Sequence, residues 1–172
     1  AGFGAGSFAT REAWLLHSGK WNDVDVTVIG EVGHTKGQHE TIERDSQAGL
    51  DALFVSLDPS YQPISLAPGP VNTGKDHVDL RLDVARRNWR LRGGFQGRYH
   101  VESGAGGAGT LDPRANYQSE RTNADVTFHD PQFAPAWDVT AQASLFHTTQ
   151  VADDSPFVLF PPGADFSAIG GG

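Results

Sequence analysis

The chain has 172 residues, enough for one ordinary domain, with a net charge of −8 and no cysteine. An acidic balance argues against a nucleic-acid partner, since phosphate contacts need a basic stripe. The missing thiols exclude disulfide staples, thiolate metal sites and cysteine nucleophiles.

Glycine accounts for 21 positions, helix-forming runs are few, and turn residues recur between alternating segments. This composition predicts an all-β fold. No run of ~18 apolar residues could form a transmembrane helix. No charged-then-apolar segment of the signal-peptide type opens the chain. Methionine is absent, the first residues are Ala1-Gly2-Phe3-Gly4-Ala5-Gly6, and the last are Gly170-Gly171-Gly172. These ends read as an excerpt of a longer polypeptide, one incomplete domain spanning 1–172, with Ala1 to Gly6 a possible remnant of a preceding strand.

In chain order the pattern predicts about six strands in an antiparallel up-and-down meander. The first runs from Ser7 to His17, where Trp14 and Leu16 compete with Ala13 and Leu15 for the apolar face. The second, Asp23 to His34, places Val24, Val26, Val28 and Val32 on one side. A long link follows. Within it Asp45 to Leu57 carries Ala48, Leu50, Ala52, Leu53 and Leu57 at near-helical spacing, with Asp45 or Ser46 placed to cap. A short amphipathic helix is expected there, then an irregular crossing from Pro59 to Gly74.

The next two strands lie between His77 and Val101 and alternate strictly. Val78, Leu80, Leu82 and Val84 interleave with His77, Asp79, Arg81 and Asp83. Trp89, Leu91, Phe95, Tyr99 and Val101 interleave with Arg90, Arg92, Gln96, Arg98 and His100. Successive strand side chains point to opposite faces, so one face is apolar and the other heavily charged. An Arg86-Arg87 turn would set Asp83 against Arg90 and Arg81 against Arg92. The fifth strand, Glu120 to His129, sets Ala124, Val126 and Phe128 against Arg121, Asn123, Asp125 and Thr127. The sixth, Trp137 to Thr149, sets Val139, Ala141, Ala143 and Leu145 against Asp138, Thr140, Gln142 and Ser144.

Three features point from this pattern towards a membrane barrel. Most predicted strands exceed the usual ~5 to 6 residues and match the ~9 to 11 that a tilted strand needs to cross a bilayer. Short turns at Ser18 to Trp21, Arg86-Arg87 and Asp130 to Pro135 alternate with long links at Thr35 to Asp76, Glu102 to Ser119, and Val151 onward. Outer-membrane barrels share that asymmetry, and a compact soluble domain rarely holds a link of about 40 residues. Trp21, Trp89 and Trp137 sit beside the three short turns, where an interfacial aromatic girdle would fall.

Motifs in this order resemble a known family. Gly6-Ser7-Phe8-Ala9-Thr10 before a strand, the Gly19-Lys20 turn, and a strand ending in His34-Thr35-Lys36-Gly37 resemble the start of the barrel in TonB-dependent outer-membrane receptors. Leu66-Ala67-Pro68-Gly69-Pro70-Val71-Asn72 resembles an extracellular-loop segment of one subgroup. Ser119 to His129 and Trp137 to Gln142 are similar to later strands. The resemblance covers nearly all of the chain. It implies part of a barrel of roughly 22 strands, in the bacterial outer membrane, from a receptor that imports a scarce solute such as a ferric siderophore. Its implied partners are outer-membrane lipid, the plug domain of the same parent chain, the imported solute, and a TonB-type energy transducer. The plug and the transducer-binding box are not among these residues, so the chain is not expected to transport alone.

Candidate chemistry is thin. No catalytic group, cofactor or metal is expected. His34 and His39 lie five residues apart, a spacing of neither the helical-pair nor the zinc-finger kind. Gly104 to Gly109 lacks the Lys-Ser/Thr of a phosphate loop, and no Gly-x-Ser-x-Gly elbow occurs. His77, His100 and His129 fall on polar faces. The polar-face residues Arg90, Arg92, Arg98 and Arg121, with Asp79, Asp83 and Asp125, are the candidate contacts for a solute or a plug. Mutual pairing of these charges is the alternative. A secreted β-sandwich or lipocalin-like ligand binder and a passive porin or adhesin barrel remain competing readings.

Overall fold

The computed structural model describes residues 1–102, 104 and 109–153. The third long link lies beyond them after Asp153, as does the tip of the glycine-rich loop at 105–108.

The protein is all-β, built on one antiparallel sheet of seven strands in the order β1-β2-β3-β6-β7-β8-β9. The strands are β1 (Gly2–Ala5), β2 (Arg11–Trp21), β3 (Val24–Thr35), β6 (Lys75–Arg86), β7 (Trp89–Glu102), β8 (Asn116–Ala134) and β9 (Trp137–Asp153). Between β3 and β6 come β4 (Thr41–Ile42), α1 (Ser46–Leu57) and β5 (Gly69–Pro70), and β4 pairs with β5. Sequential long strands are neighbours throughout, as hairpin connections require. The seventh strand of the sheet is β1, which forms where Ala1 to Gly6 reads as a strand remnant. Its Gly2 lies opposite Trp14. A Cβ on Gly2 would meet the Trp14 ring at 2.8 Å, so the close approach depends on glycine.

All three hairpins turn later than the pattern suggests. Trp21 pairs with Val24, so the first turn is Asn22-Asp23 and not Ser18 to Trp21. Ser18 and Lys20 stay in the ladder, bonded to Thr27 and Asp25. Asn22 supplies the positive φ of 55° that a tight turn needs and that Asn tolerates well. Arg86 pairs with Trp89, which moves the second turn to Arg87-Asn88. The third turn is Pro135-Ala136, because β8 continues to Ala134. Pro131 is tolerated inside β8 for a geometric reason. The His129 amide donates to Asn88, in the turn just before the start of β7. Two residues on, the missing Pro131 N–H falls on the same edge, beyond that point.

The later second turn shifts the β6–β7 register by two residues. Asp83 lies opposite Arg92, Arg81 opposite Gly94, and Arg90 opposite Ala85. The like-charge pair expected between Arg81 and Arg92 does not form.

Directly opposed residues share a face. Val26, Val28 and Val32 of β3 lie opposite Val84, Leu82 and Val78 of β6. Leu80 and Val84 lie opposite Phe95 and Leu91 of β7. Phe128 joins this side through its ring contact with Trp89, at 4.9 Å between centroids. In β2, Ala13 and Leu15 take the apolar side, opposite Val32 and Gly30, while Trp14 and Leu16 face Glu31 and Ile29 on the other side. The competition within the first strand is thus resolved by register. The apolar side is not a covered core. Leu80 is 47% exposed, Leu91 45% and Leu145 65%.

The chain divides into two units. The sheet is one. The other comprises 38–73, 102–116 and 152–153 of the described residues, and the buried residues Leu111 and Ala115 belong to it. Its helix forms as its cap predicts, with the Asp45 carboxylate accepting from the Ala48 amide at 2.8 Å. The expected apolar inward stripe does not form. The buried helix residues are Gln47 and Asp51, whereas Leu53 and Leu57 are exposed.

Candidate functional site

The charged face of the sheet brings the sequence-predicted residues together. Asp79, Arg81 and Asp83 of β6 share it with Arg92, Gln96 and Arg98 of β7 by direct register, and Arg90 by alternation. From β8, Asp125 joins through Arg92 at 2.8 Å. Arg121 lies over the Phe146 ring of β9, 5.5 Å from its centroid.

Pairing on this face is mostly diagonal or to the next strand. Arg90 forms a bidentate pair with Asp83. Arg92 sits directly opposite Asp83 yet reaches across to Asp125. Arg98 holds Asp79 at 2.9 Å, and Gln96 donates to the same carboxylate. Lys20 meets Asp25 at 3.4 Å, and His77 meets Glu31 at 3.2 Å. Water reaches these pairs, so each contributes little to stability on its own. Arg90, Arg92 and Arg98 are therefore charge-compensated within the sheet.

A groove of about 620 Å³ opens on this face. Arg81, Asp83, Arg92, Arg121, Asn123 and Asp125 line it, with Phe146 at one side. Gly93 and Gly94 leave room for it. A Cβ on Gly94 would meet the Asn123 amide oxygen at 2.7 Å.

Trp21, Trp89 and Trp137 each border one of the three two-residue turns, and all three are exposed. The same end carries a cationic cluster in which Arg86 pairs with Asp23 at 3.0 Å. That pairing, with the nearby Arg87, holds the Asp23 carboxyl below the usual carboxylate range.

The histidines sort differently from the sequence pattern. His77 keeps to the charged face, and His129 bonds Thr140 of β9 at 2.8 Å. His34 and His39 do not converge: His34 bonds Asp76, and His39 bonds Asn72. Alternation would group His100 with Arg98. A positive φ of 49° turns it, and its ring Nδ1 donates to the Asp76 carboxylate at 2.7 Å. Asp76 thereby bridges His34 and His100. The sequence carries no local signal for this, because it depends on register across the long β3–β6 link.

Two carboxylates of the loop unit, Asp51 and Asp45, gather several donors each. Asp51 accepts from Gln47, the Tyr61 hydroxyl, and the Ile64 and Ser65 amides, all within 2.9 Å. Asp45 accepts from the Ala48 and Leu111 amides and the Ser65 hydroxyl. Burial alone would raise both carboxyls, but these hydrogen bonds outweigh it and hold both below the ordinary range. All donors are neutral and belong to the loop itself, so the pair is a structural tie. Among the described residues no group of three or more His, Cys, Asp or Glu is placed to hold a metal ion.

No family model, curated protein or solved structure matches the chain.

Proposed function

We propose that this sheet is part of the wall of a large outer-membrane β-barrel, from a receptor of the TonB-dependent kind that imports a scarce solute. The observation that carries the reading is the two-sided sheet. Its apolar face is continuous over β2, β3, β6 and β7 and open to the surroundings, and its opposite face is a lattice of ion pairs. Lipid against the first and water against the second would satisfy both, which no single solvent does. Strand length agrees: the long strands run from 11 to 19 residues, enough to cross a bilayer at a tilt. Tryptophans at the short-turn ends and long links at the other ends match interfacial and extracellular placement. In this reading the chain binds no nucleic acid, catalyses no reaction, and transports only as part of its parent.

Surface labelling of the parent chain tests the reading. An epitope inserted after Pro59, in the long β3–β6 link, is expected to bind antibody on intact bacteria. The same epitope between Arg87 and Asn88 should bind only after the outer membrane is opened. Equal labelling of both sites on intact cells, or recovery of the parent in a soluble fraction, contradicts it. Loss of solute uptake on removing the energy transducer, with the barrel still present, then separates an import receptor from a passive porin.

A further inference from the structure

We infer that the charged-face groove is a binding site for a small solute bearing two oxyanions, carboxylate or phosphate, held by Arg81 and Arg121. The inference rests on the reading of this face as a wet wall and goes beyond it by naming the ligand class and its anchors.

Charge within the groove is unevenly matched. Its two carboxylates, Asp83 and Asp125, are taken by Arg90 and Arg92. Its remaining cations, Arg81 and Arg121, have no carboxylate partner among the described residues. Arg81 lies opposite Gly94, a residue without a side chain to answer it. Arg121 lies over the Phe146 ring, 5.5 Å from its centroid, a contact that draws on the cation's charge and uses none of its five N–H donors in a conventional hydrogen bond. Both arginines border the same cavity of about 620 Å³, within the ~300 to 1,000 Å³ typical of small-molecule sites. The Asn123 amide, laid over Gly94, adds a neutral polar group to the same lining. Two separated guanidinium forks in one groove match a solute with two planar or tetrahedral oxyanions. Arg90, Arg92 and Arg98, the more obvious arginines in the sequence pattern, already hold carboxylates of the sheet and are poorly available.

Citrate is a suitable probe, measured by calorimetry against the full chain refolded in zwitterionic detergent micelles. Saturable binding is expected, weakened about tenfold or more by Arg81→Gln and by Arg121→Gln, as loss of one charge-assisted fork implies. Arg81→Lys should keep part of the affinity, and Arg86→Gln, at the far turn, should leave it unchanged. Far-UV circular dichroism checks that each variant keeps the sheet. No binding by the folded unsubstituted chain, or binding by both Gln variants equal to it, overturns the inference. So does binding of a glutamate-rich peptide in place of citrate, which would assign the groove to a protein segment. Insertion into lipid vesicles is measured separately: its failure counts against the membrane reading, and failure of citrate binding in micelles counts against this site alone.

Discussion

The sheet and the loop unit place polarity in opposite ways. In the sheet, aliphatic side chains face outward unshielded and charges pair across strands where water can reach them. In the loop unit, Asp51 and Gln47 are buried while Leu53 and Leu57 of the same helix are exposed. The sheet's charges are individually cheap to lose, since each pair remains solvated. The loop's carboxylates are expensive to lose, since each answers several buried donors. Stability should therefore be sensitive to single polar changes in the loop and to single apolar changes in the sheet.

Asp51→Ala is the harshest test of the loop half. It leaves the Tyr61 hydroxyl, the Gln47 amide and two backbone amides without their acceptor, at a local cost of ~3 to 5 kcal/mol. Hydrogen exchange should show the Ile64 and Ser65 amides losing protection while β6 and β7 amides keep theirs. Retained protection would mean that Asp51 is not the tie.

Leu82→Arg is the matching test of the sheet half. If lipid covers Leu82, the substitution should lower folding stability in bilayers by ~2 to 4 kcal/mol near the midplane. Urea titration of vesicle-refolded parent barrel reads it directly. An unchanged midpoint would place Leu82 away from lipid.

Acid should act on the loop unit through the same two carboxylates. The Asp45 and Asp51 carboxyls are depressed in the folded loop, so their contribution is complete above the ordinary carboxylate value of ~3.9. It is lost as pH falls through the lower folded values, where protonation removes the acceptors. Backbone shifts of Ala48, Ser65 and Leu111 are expected to hold steady from neutral pH down to ~4.5 and to change below that. A transition centred near neutral pH would rule out these groups as its cause.

Arg92→Gln is the mildest change, expected to cost ~0 to 1 kcal/mol because Asp125 stays within reach of water. A loss several times larger would show that this pair is dry and would remove the contrast between the regions.

Much of the sheet was legible because alternation is a local signal. Val78 to Val84 and Leu91 to Phe95 announce two faces within a few residues, and the structure orders them as the pattern implies. Turn positions were not legible. Ser18-Gly19-Lys20 looks more like a turn than Asn22-Asp23, but it continues the ladder with Thr27, Val26 and Asp25, and side-chain bonds from Ser18 and Lys20 add to that pairing. That displacement matters for the site, since two residues of register decide whether Arg81 meets Arg92 or Gly94. Of the groove's anchors, both stand on the charged face in the sequence pattern, but only Arg121 is among the candidate contacts. Arg81 is not, because its isolation depends on the partners its neighbours choose. The inverted helix was hidden for a similar reason: the donors that draw Asp51 inward lie 10 to 14 residues further on, in a tract without periodicity.

The central claim is that one face of this sheet meets lipid and the other meets water. The chain has no native cysteine, so single cysteines can be placed in β6 of the vesicle-inserted parent barrel at Leu80, Arg81, Leu82, Asp83 and Val84 and spin-labelled. Labels at 80, 82 and 84 should collide readily with oxygen, which concentrates in lipid, and those at 81 and 83 with a water-soluble nickel chelate. A strict period of two in that order is the predicted result. Equal accessibility at all five positions, or the reverse phase, would contradict the account.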